Sequence, residues 1–284
     1  MSDPRVRIAG VASTDVRSKL DGLHDALALL GGAVVAFSGG TDSALVAAVA
    51  ARTLGDRALA VTAVSPSLPP GELQEARRIA RHVGIRHRAV RTHEAEREEY
   101  LANGADRCYH CKTELYGVLW HVAGEEGLPH VLSGTNVDDL GDYRPGLRAA
   151  AERAVLHPLV QAGFTKADVR EAARVLGLPT WDKPASACLS SRISHGVRIT
   201  VEELGRVGRA ERVLKELGFG QVRVRVHGDL ARVEVDADDV VRLAEPAVRT
   251  RVVSALKGLG YRYVTLDMEG FRSGSMNPPE AGAT

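Results

Sequence analysis

The chain has 284 residues, 44% of them hydrophobic and 26% charged, which suits one large globular domain plus a smaller one. Its 37 basic and 36 acidic residues leave a net charge of +1, so the composition gives no sign of an obligatory polyanion partner. No stretch reaches membrane-spanning length and MSDPRVRIAG has no apolar run, so the expectation is a cytoplasmic protein with reduced thiols and no membrane partner.

Residues 15–30 place Leu20, Leu23, Leu27 and Leu30 at helical spacing. Residues 33–37 form a short apolar run that reads as a buried strand. The loop SGGTDS follows, and ALVAAVAART continues as a helix. Residues 58–64 read as a second strand, 72–83 as an amphipathic helix stopped by Gly84, and 86–90 as a third strand. A helix runs from about Tyr109 to Glu126, and residues 130–132 form a strand entering the acidic loop GTNVDDLGDYRPG. This alternation predicts an α/β fold, a parallel sheet with helices on both faces.

Residues 165–176 form a helix opened by a Thr165/Asp168 capping box, and Thr200 with Glu203 opens a second helix ending at Leu217. Between them, residues 179–198 are irregular, and stretches of that length often carry function. QVRVRVH and ARVEVD alternate as two strands around a Gly228–Asp229 turn. A helix near 247–257 and a strand near 261–266 complete a small α+β unit. The expected domains are 1–198 and 199–277, with a disordered tail at 278–284.

The strongest motif is AFSGGTDSALV, residues 36–46, at the carboxyl end of a strand and the start of a helix. Gly39 and Gly40 let the backbone approach an anion, while Ser38, Thr41 and Ser43 offer hydroxyls beside the N–H groups of the helix start. The Walker pattern G-x-x-x-x-G-K-S/T is absent. The loop is similar to the S-G-G-x-D-S pyrophosphate loop of the PP-loop ATP pyrophosphatase superfamily, whose members cleave ATP between its α and β phosphates to adenylate an oxygen. That resemblance implies that Ser38 to Ser43 hold the pyrophosphate and that Ala36, Phe37 and Ala63 flank the adenosine. It implies a Mg²⁺ ligand in Asp42 and nucleotide contacts from Gly134, Asp138 and Arg144. Read alone, the acids Asp138, Asp139 and Asp142 fit a solvated turn equally well.

The strings SGGTDS, DRCYHCK, GDYRPGLRAA, ASACLSSR, VRVRVHGDLARVEV and YVTLDMEGFRSGSMN together resemble the LarE sulfur transferases. The resemblance spans about residues 15–277. It implies a pyridinium-3,5-biscarboxylic acid mononucleotide as substrate. ATP adenylates a carboxylate, sulfur displaces AMP, and a thiocarboxylate forms. Adenylation removes the charge that makes a carboxylate a poor electrophile and supplies a leaving group.

The family obtains sulfur in two ways: by sacrificing one cysteine, which becomes dehydroalanine, or through three cysteines holding a 4Fe–4S cluster. Cys108, Cys111 and Cys188 match the cluster type, whose unligated iron takes sulfide from an external source. Taken alone, C-x-x-C is metal-binding, redox-active or incidental. Zinc is a competitor, although His110 between the thiols is awkward as a co-ligand. Cys188 alone is a buried small residue or, beside Ser190, Ser191 and Arg192, the sacrificial thiol.

In QVRVRVH the valines face one way and Arg223, Arg225 and His227 the other. Such a face is either solvated or a phosphate clamp. The resemblance places the substrate phosphate on Arg223 and Arg225, with Arg192, Glu211, Asp229 and Glu234 nearby. It also implies a homo-oligomer, with a hexamer as the form the family suggests. Two rival readings stand beside it. A tRNA thiolase of the same superfamily needs a large basic surface, and a non-catalytic iron–sulfur scaffold leaves the arginine pair unexplained.

Overall fold

A computed structural model describes residues 12–141, 145–184 and 186–272. The chain divides into two units. The first lies within Met1–Ser65, Gly71–Glu94 and Cys108–Ser186, and the second within Pro66–Pro70, Ala95–Arg107 and Ala187–Thr284.

In the first unit, α1 (Thr14–Ala28) precedes β1 (Ala33–Ala36), α2 (Thr41–Leu54), β2 (Ala58–Val64), α3 (Glu72–Val83) and β3 (Arg86–Arg91). Then come α4 (Arg107–Glu125), β4 (Val131–Leu132), α5 (Pro145–Glu152) and α6 (Lys166–Val175). The strands form one parallel sheet in the order β3-β2-β1-β4. Successive strand residues face opposite ways, so a parallel sheet needs cover on both sides. Ala33 and Val35 pack with α1, α2, α3 and α6, whereas Val34, Leu59 and Val61 pack with α4 and α5. The predicted α/β layering is therefore observed, with one apolar core on each face.

Two sequence signals at helix starts differ in outcome. At α6 the full box forms: Thr165 Oγ1 accepts from the Asp168 N–H, and Asp168 Oδ2 accepts from the Thr165 N–H at 2.8 Å. Lys19 of α1 donates to the same Asp168 oxygen at 2.8 Å. At α7 (Val201–Glu216) only half forms. Thr200 Oγ1 accepts from the Glu203 N–H at 3.1 Å, but the Glu203 carboxylate turns to Arg206, an ion pair one helical turn away.

The second unit adds β5 (Val222–His227), β6 (Leu230–Val235), α8 (Pro246–Gly258) and β7 (Tyr263–Leu266). β5 and β6 make an antiparallel hairpin, with Gly228 at φ 61°, and β7 joins β6 in parallel. Helical turns at Pro158–Gln161 and Val240–Ala244, and α5 itself, fall where no helix is expected. The tail at 278–284 lies outside the described residues.

The Asp168 carboxyl sits below the usual carboxylate range: burial pushes it up, but bonds from Lys19 and from the Thr165 hydroxyl and N–H outweigh this. A depressed folded pKa gives stability that is present above the unfolded value and lost as pH falls through the folded one. Asp168→Asn should therefore lower stability at neutral pH by about 1 kcal/mol and flatten the loss toward about pH 3, as read from urea melts at both pH values.

Candidate functional site

β1 ends at Ala36, and the chain leaves the sheet through residues that stay clamped to β2. The Phe37 N–H donates to Val61 O at 2.9 Å, and the Thr62 hydroxyl donates to Phe37 O at 2.7 Å. Gly39 then takes φ 73°, and a Cβ there would lie 3.1 Å from Ala76 Cα of α3. Only glycine fits both the angle and the approach. The Gly40 N–H donates to Ser38 Oγ at 3.2 Å, the Ser38 N–H to Ser43 Oγ at 3.3 Å, and the Ser43 hydroxyl to Gly40 O at 3.1 Å. These bonds fold SGGTDS into a ring at the mouth of α2, whose first turn no side chain caps. A helix start of this kind presents N–H groups and a positive dipole end to an anion.

Neighbouring strand ends close around the ring. Gly134, just past β4, lies so close that a Cβ would meet Ser43 N at 2.7 Å and Asp42 C at 3.0 Å. Asn136 Nδ2 donates to Asp42 Oδ1 at 3.0 Å, and the Lys166 ammonium pairs with Asp42 Oδ2. Asp138 Oδ2 accepts from the Lys166 N–H at 2.8 Å. Lys183 Nζ reaches Glu72 Oε2 at 3.0 Å and Gly39 O at 3.4 Å. Thus Ser38 to Ser43, Gly134 and Asp138 gather at one sheet edge, and Ala36 and Ala63 sit near the carboxyl ends of adjacent strands. Arg144 and Asp142 lie outside the described residues.

The paired thiols reach the same edge on α4. At its far end, Arg86 and Arg88 of β3 pair with Glu126 at 2.6 Å and Glu125 at 2.7 Å. Past the exit of β3, the His93 N–H donates to Glu114 Oε1 at 3.2 Å. The helix therefore runs opposite to the strand, which puts its first turn at the carboxyl edge of the sheet. Cys108 is exposed and Cys111 half-buried, one turn apart; neither is in a disulfide. α5 lies against this turn, since a Cβ on Gly146 would come within 2.9 Å of Lys112 Cγ. Cys188 belongs to the second unit. Among the described residues no three His, Cys, Asp or Glu side chains are grouped to hold a metal ion.

In the second unit Cys188 precedes a 3-10 turn, Leu189–Arg192. Arg192 is 1% exposed. Its Nε and Nη2 bind both Glu211 oxygens at 2.8 and 3.0 Å, and its Nη1 binds Ala187 O at 2.8 Å and Cys188 O at 2.9 Å. Arg225 grips Glu234 through two bonds, at 3.1 and 2.9 Å, and Ser191 O at 3.0 Å. Arg223 and Arg225 are only 6% and 4% exposed, so the polar face of β5 is buried at both arginines and exposed only at His227. Burial, with the positive charges of Arg192 and Arg225, lowers Arg223 to about 10.

An asparagine synthase family model matches residues 32–134, the stretch from β1 to Gly134. A Synechocystis protein of uncharacterised function is 47% identical over 92% of this chain and 98% of its own. The pyridinium-3,5-bisthiocarboxylic acid mononucleotide synthase of Lactiplantibacillus plantarum is 40% identical over 86% of this chain and 88% of its own. The chain belongs to the LarE family. A tRNA-specific 2-thiouridylase of Azorhizobium caulinodans is 31% identical over 54% of this chain and 49% of its own.

As a LarE-family protein the chain is an ATP-dependent sulfur transferase built on a PP-loop domain. Its loop is surrounded by three residues that the sequence reading did not single out. Asn136 stands inside the quoted GTNVDD string, and its Asx partner Asp42 marks it in hindsight. Lys166 and Lys183 carry no local signal, because their partners Asp42 and Glu72 lie more than a hundred residues away in sequence. Among the described residues no helix is long and apolar enough to cross a membrane.

The close approach at Gly134 is testable. Gly134→Ala should force the β4 exit away from Ser43, weakening ATP binding by about tenfold and costing about 1–3 kcal/mol of stability. Calorimetric titration with ATP and a thermal melt would measure the two effects, and unchanged values for both would refute the contact.

Proposed function

We propose that the protein adenylates the carboxylates of pyridinium-3,5-biscarboxylic acid mononucleotide and converts them to thiocarboxylates. The observation that carries this reading is the SGGTDS ring at the mouth of α2, in a chain so similar to a relative bearing that product's name. A substrate carboxylate oxygen attacks the α-phosphorus of ATP. The pyrophosphate leaves into the ring, where N–H groups and hydroxyls hold its charge. Asp42, 24% exposed, would hold Mg²⁺ together with the phosphates, and the ion would neutralise the departing charge.

Arg223 and Arg225 hold the substrate phosphate. Both are buried, so a phosphate that reached them would be held by desolvated, charge-assisted hydrogen bonds. Arg192 and Arg225 each grip a glutamate, Glu211 and Glu234, so these carboxylates would hold the guanidiniums in place for the phosphate.

The sulfur comes from Cys188. Its thiolate attacks the acyl-adenylate, AMP leaves, and a thioester forms. Breaking the Cys188 Cβ–Sγ bond then releases the thiocarboxylate and leaves dehydroalanine. In the alternative route Cys108, Cys111 and Cys188 would together hold a 4Fe–4S cluster, which would supply sulfide in place of the Cys188 thiol.

Two measurements check this. Pyrophosphate release should depend on the pyridinium substrate, and Cys188→Ser should keep that release while losing thiocarboxylate. Anaerobically purified protein rich in iron and acid-labile sulfide, with Cys188 intact after turnover, would overturn the sacrificial route. Arg223→Ala should weaken substrate binding about 10- to 100-fold and leave ATP binding unchanged.

A further inference from the structure

Lys166 opens α6, and its backbone is pinned on both sides. Its N–H donates to Asp138 Oδ2 at 2.8 Å, and Thr165 before it is locked in the capping box with Asp168. Its side chain, by contrast, is 38% exposed and ends on Asp42 Oδ2 in the first turn of α2. The other Asp42 oxygen accepts from Asn136 Nδ2 at 3.0 Å. Asn136 is 2% exposed and is itself fixed: the Asp138 N–H donates to its Oδ1 at 3.0 Å, and its own N–H donates to Asp139 Oδ2 at 3.0 Å. The Val137 N–H ties the same loop to Phe164 O at 2.9 Å, just before α6. One oxygen of Asp42 is thus held by a buried amide, and the other by an ammonium on a flexible four-carbon stem. Carboxylate oxygens suit a magnesium ion, and the oxygen left to Lys166 is the one whose partner can move.

We propose that Lys166 and Mg²⁺ compete for Asp42, and that the nucleotide settles the contest by taking the ammonium onto its β- and γ-phosphates. The inference rests on the reading of Asp42 as a magnesium ligand, and it makes Lys166 a residue of the pyrophosphate subsite. Electrostatics favour a joint exchange. A magnesium ion arriving alone faces the Lys166 ammonium across one carboxylate oxygen, and a nucleotide arriving alone faces the Asp42 carboxylate. When both arrive, each displaced charge gains an opposite one: the carboxylate gains the metal, and the ammonium gains the phosphates. Only the Lys166 side chain has to turn, because the SGGTDS ring opens at the same helix start that carries Asp42. Two ligands that favour the same arrangement of a residue bind with positive coupling, and the coupling is reciprocal. The fold has little need of the pair. α2 and α6 already share one apolar core through Val169, Ala172 and Ala173, and a partly exposed ion pair adds little to such packing.

The test uses the full chain and reads binding rather than turnover. Mn²⁺, followed by the electron paramagnetic resonance of the free ion, stands in for Mg²⁺. Without nucleotide, Lys166→Met should bind Mn²⁺ about tenfold more tightly than the unaltered protein does. Pyrophosphate titrated with Mg²⁺ in a calorimeter should bind Lys166→Met about 10- to 100-fold more weakly, while AMP binds both proteins equally. Adding Asp42→Asn to Lys166→Met should abolish the gained Mn²⁺ site. Removing a tie that served only the fold does not create a metal site, so the gain separates the two roles. Thermal melts identify a variant that fails to fold, and Lys166→Gln, which keeps a polar tip, decides the matter if Lys166→Met does. Unchanged Mn²⁺ and pyrophosphate affinities in a folded Lys166 variant overturn the inference while leaving Asp42 as a ligand. A gained Mn²⁺ site that survives Asp42→Asn overturns the reading of Asp42 itself, and the inference with it.

Discussion

A crossover in a parallel sheet must carry the chain back to the edge where the next strand begins, and this constraint organises the first unit. Each helix that follows a strand and packs against the sheet starts at the carboxyl edge. There its unpaired N–H groups collect, and there the strand exits converge. The SGGTDS ring, Gly134 and the Cys108–Cys111 turn share that edge for this one topological reason. A nucleotide and two thiols can then be brought to one rim by residues far apart in sequence.

The second unit solves a different problem. Among its described residues it buries four arginines, Arg107, Arg192, Arg223 and Arg225, and two glutamates, Glu211 and Glu234. Buried ion pairs gain little net stability over apolar packing, yet breaking one costs several kcal/mol because the surviving charge stays desolvated. Such a network is therefore rigid in a particular sense: Glu211 fixes Arg192 and Glu234 fixes Arg225, and each guanidinium can in turn fix something else. Arg192 fixes the turn after Cys188, and Arg225 fixes Ser191 within the same turn. The placement of Cys188 and the proposed phosphate clamp would thus draw on one set of side chains.

Legibility in the sequence followed the range of the interaction. α3 occupies the residues its apolar spacing and Gly84 stop predict, because both signals are local. The Thr165 box formed in full, whereas at Thr200 the acid met a competing arginine one turn on, a contest that a capping pattern cannot settle. The alternation of β5 correctly separated valines from arginines, but not the burial of the second face. Part of its cover comes from the turn Leu189–Arg192, some thirty residues earlier, and a strand pattern holds no record of what will lie across it. Lys166 and Lys183 were hidden for the same reason. The SGGTDS loop was legible because strand, glycines, hydroxyls and helix occur in one run.

The placement of the paired thiols has a mechanical side. α4 has 19 residues, about 28 Å of rod. Its exposed ion pairs lie at the end remote from Cys108, while Tyr116, Leu119, Val122 and Ala123 are buried along its middle and far half. The apolar contacts anchor the rod, and the arm that carries the two sulfurs is held against α5, where the Tyr109 hydroxyl donates to Glu152 at 2.6 Å. Ionic strength, which weakens only the surface pairs, leaves that arm in register.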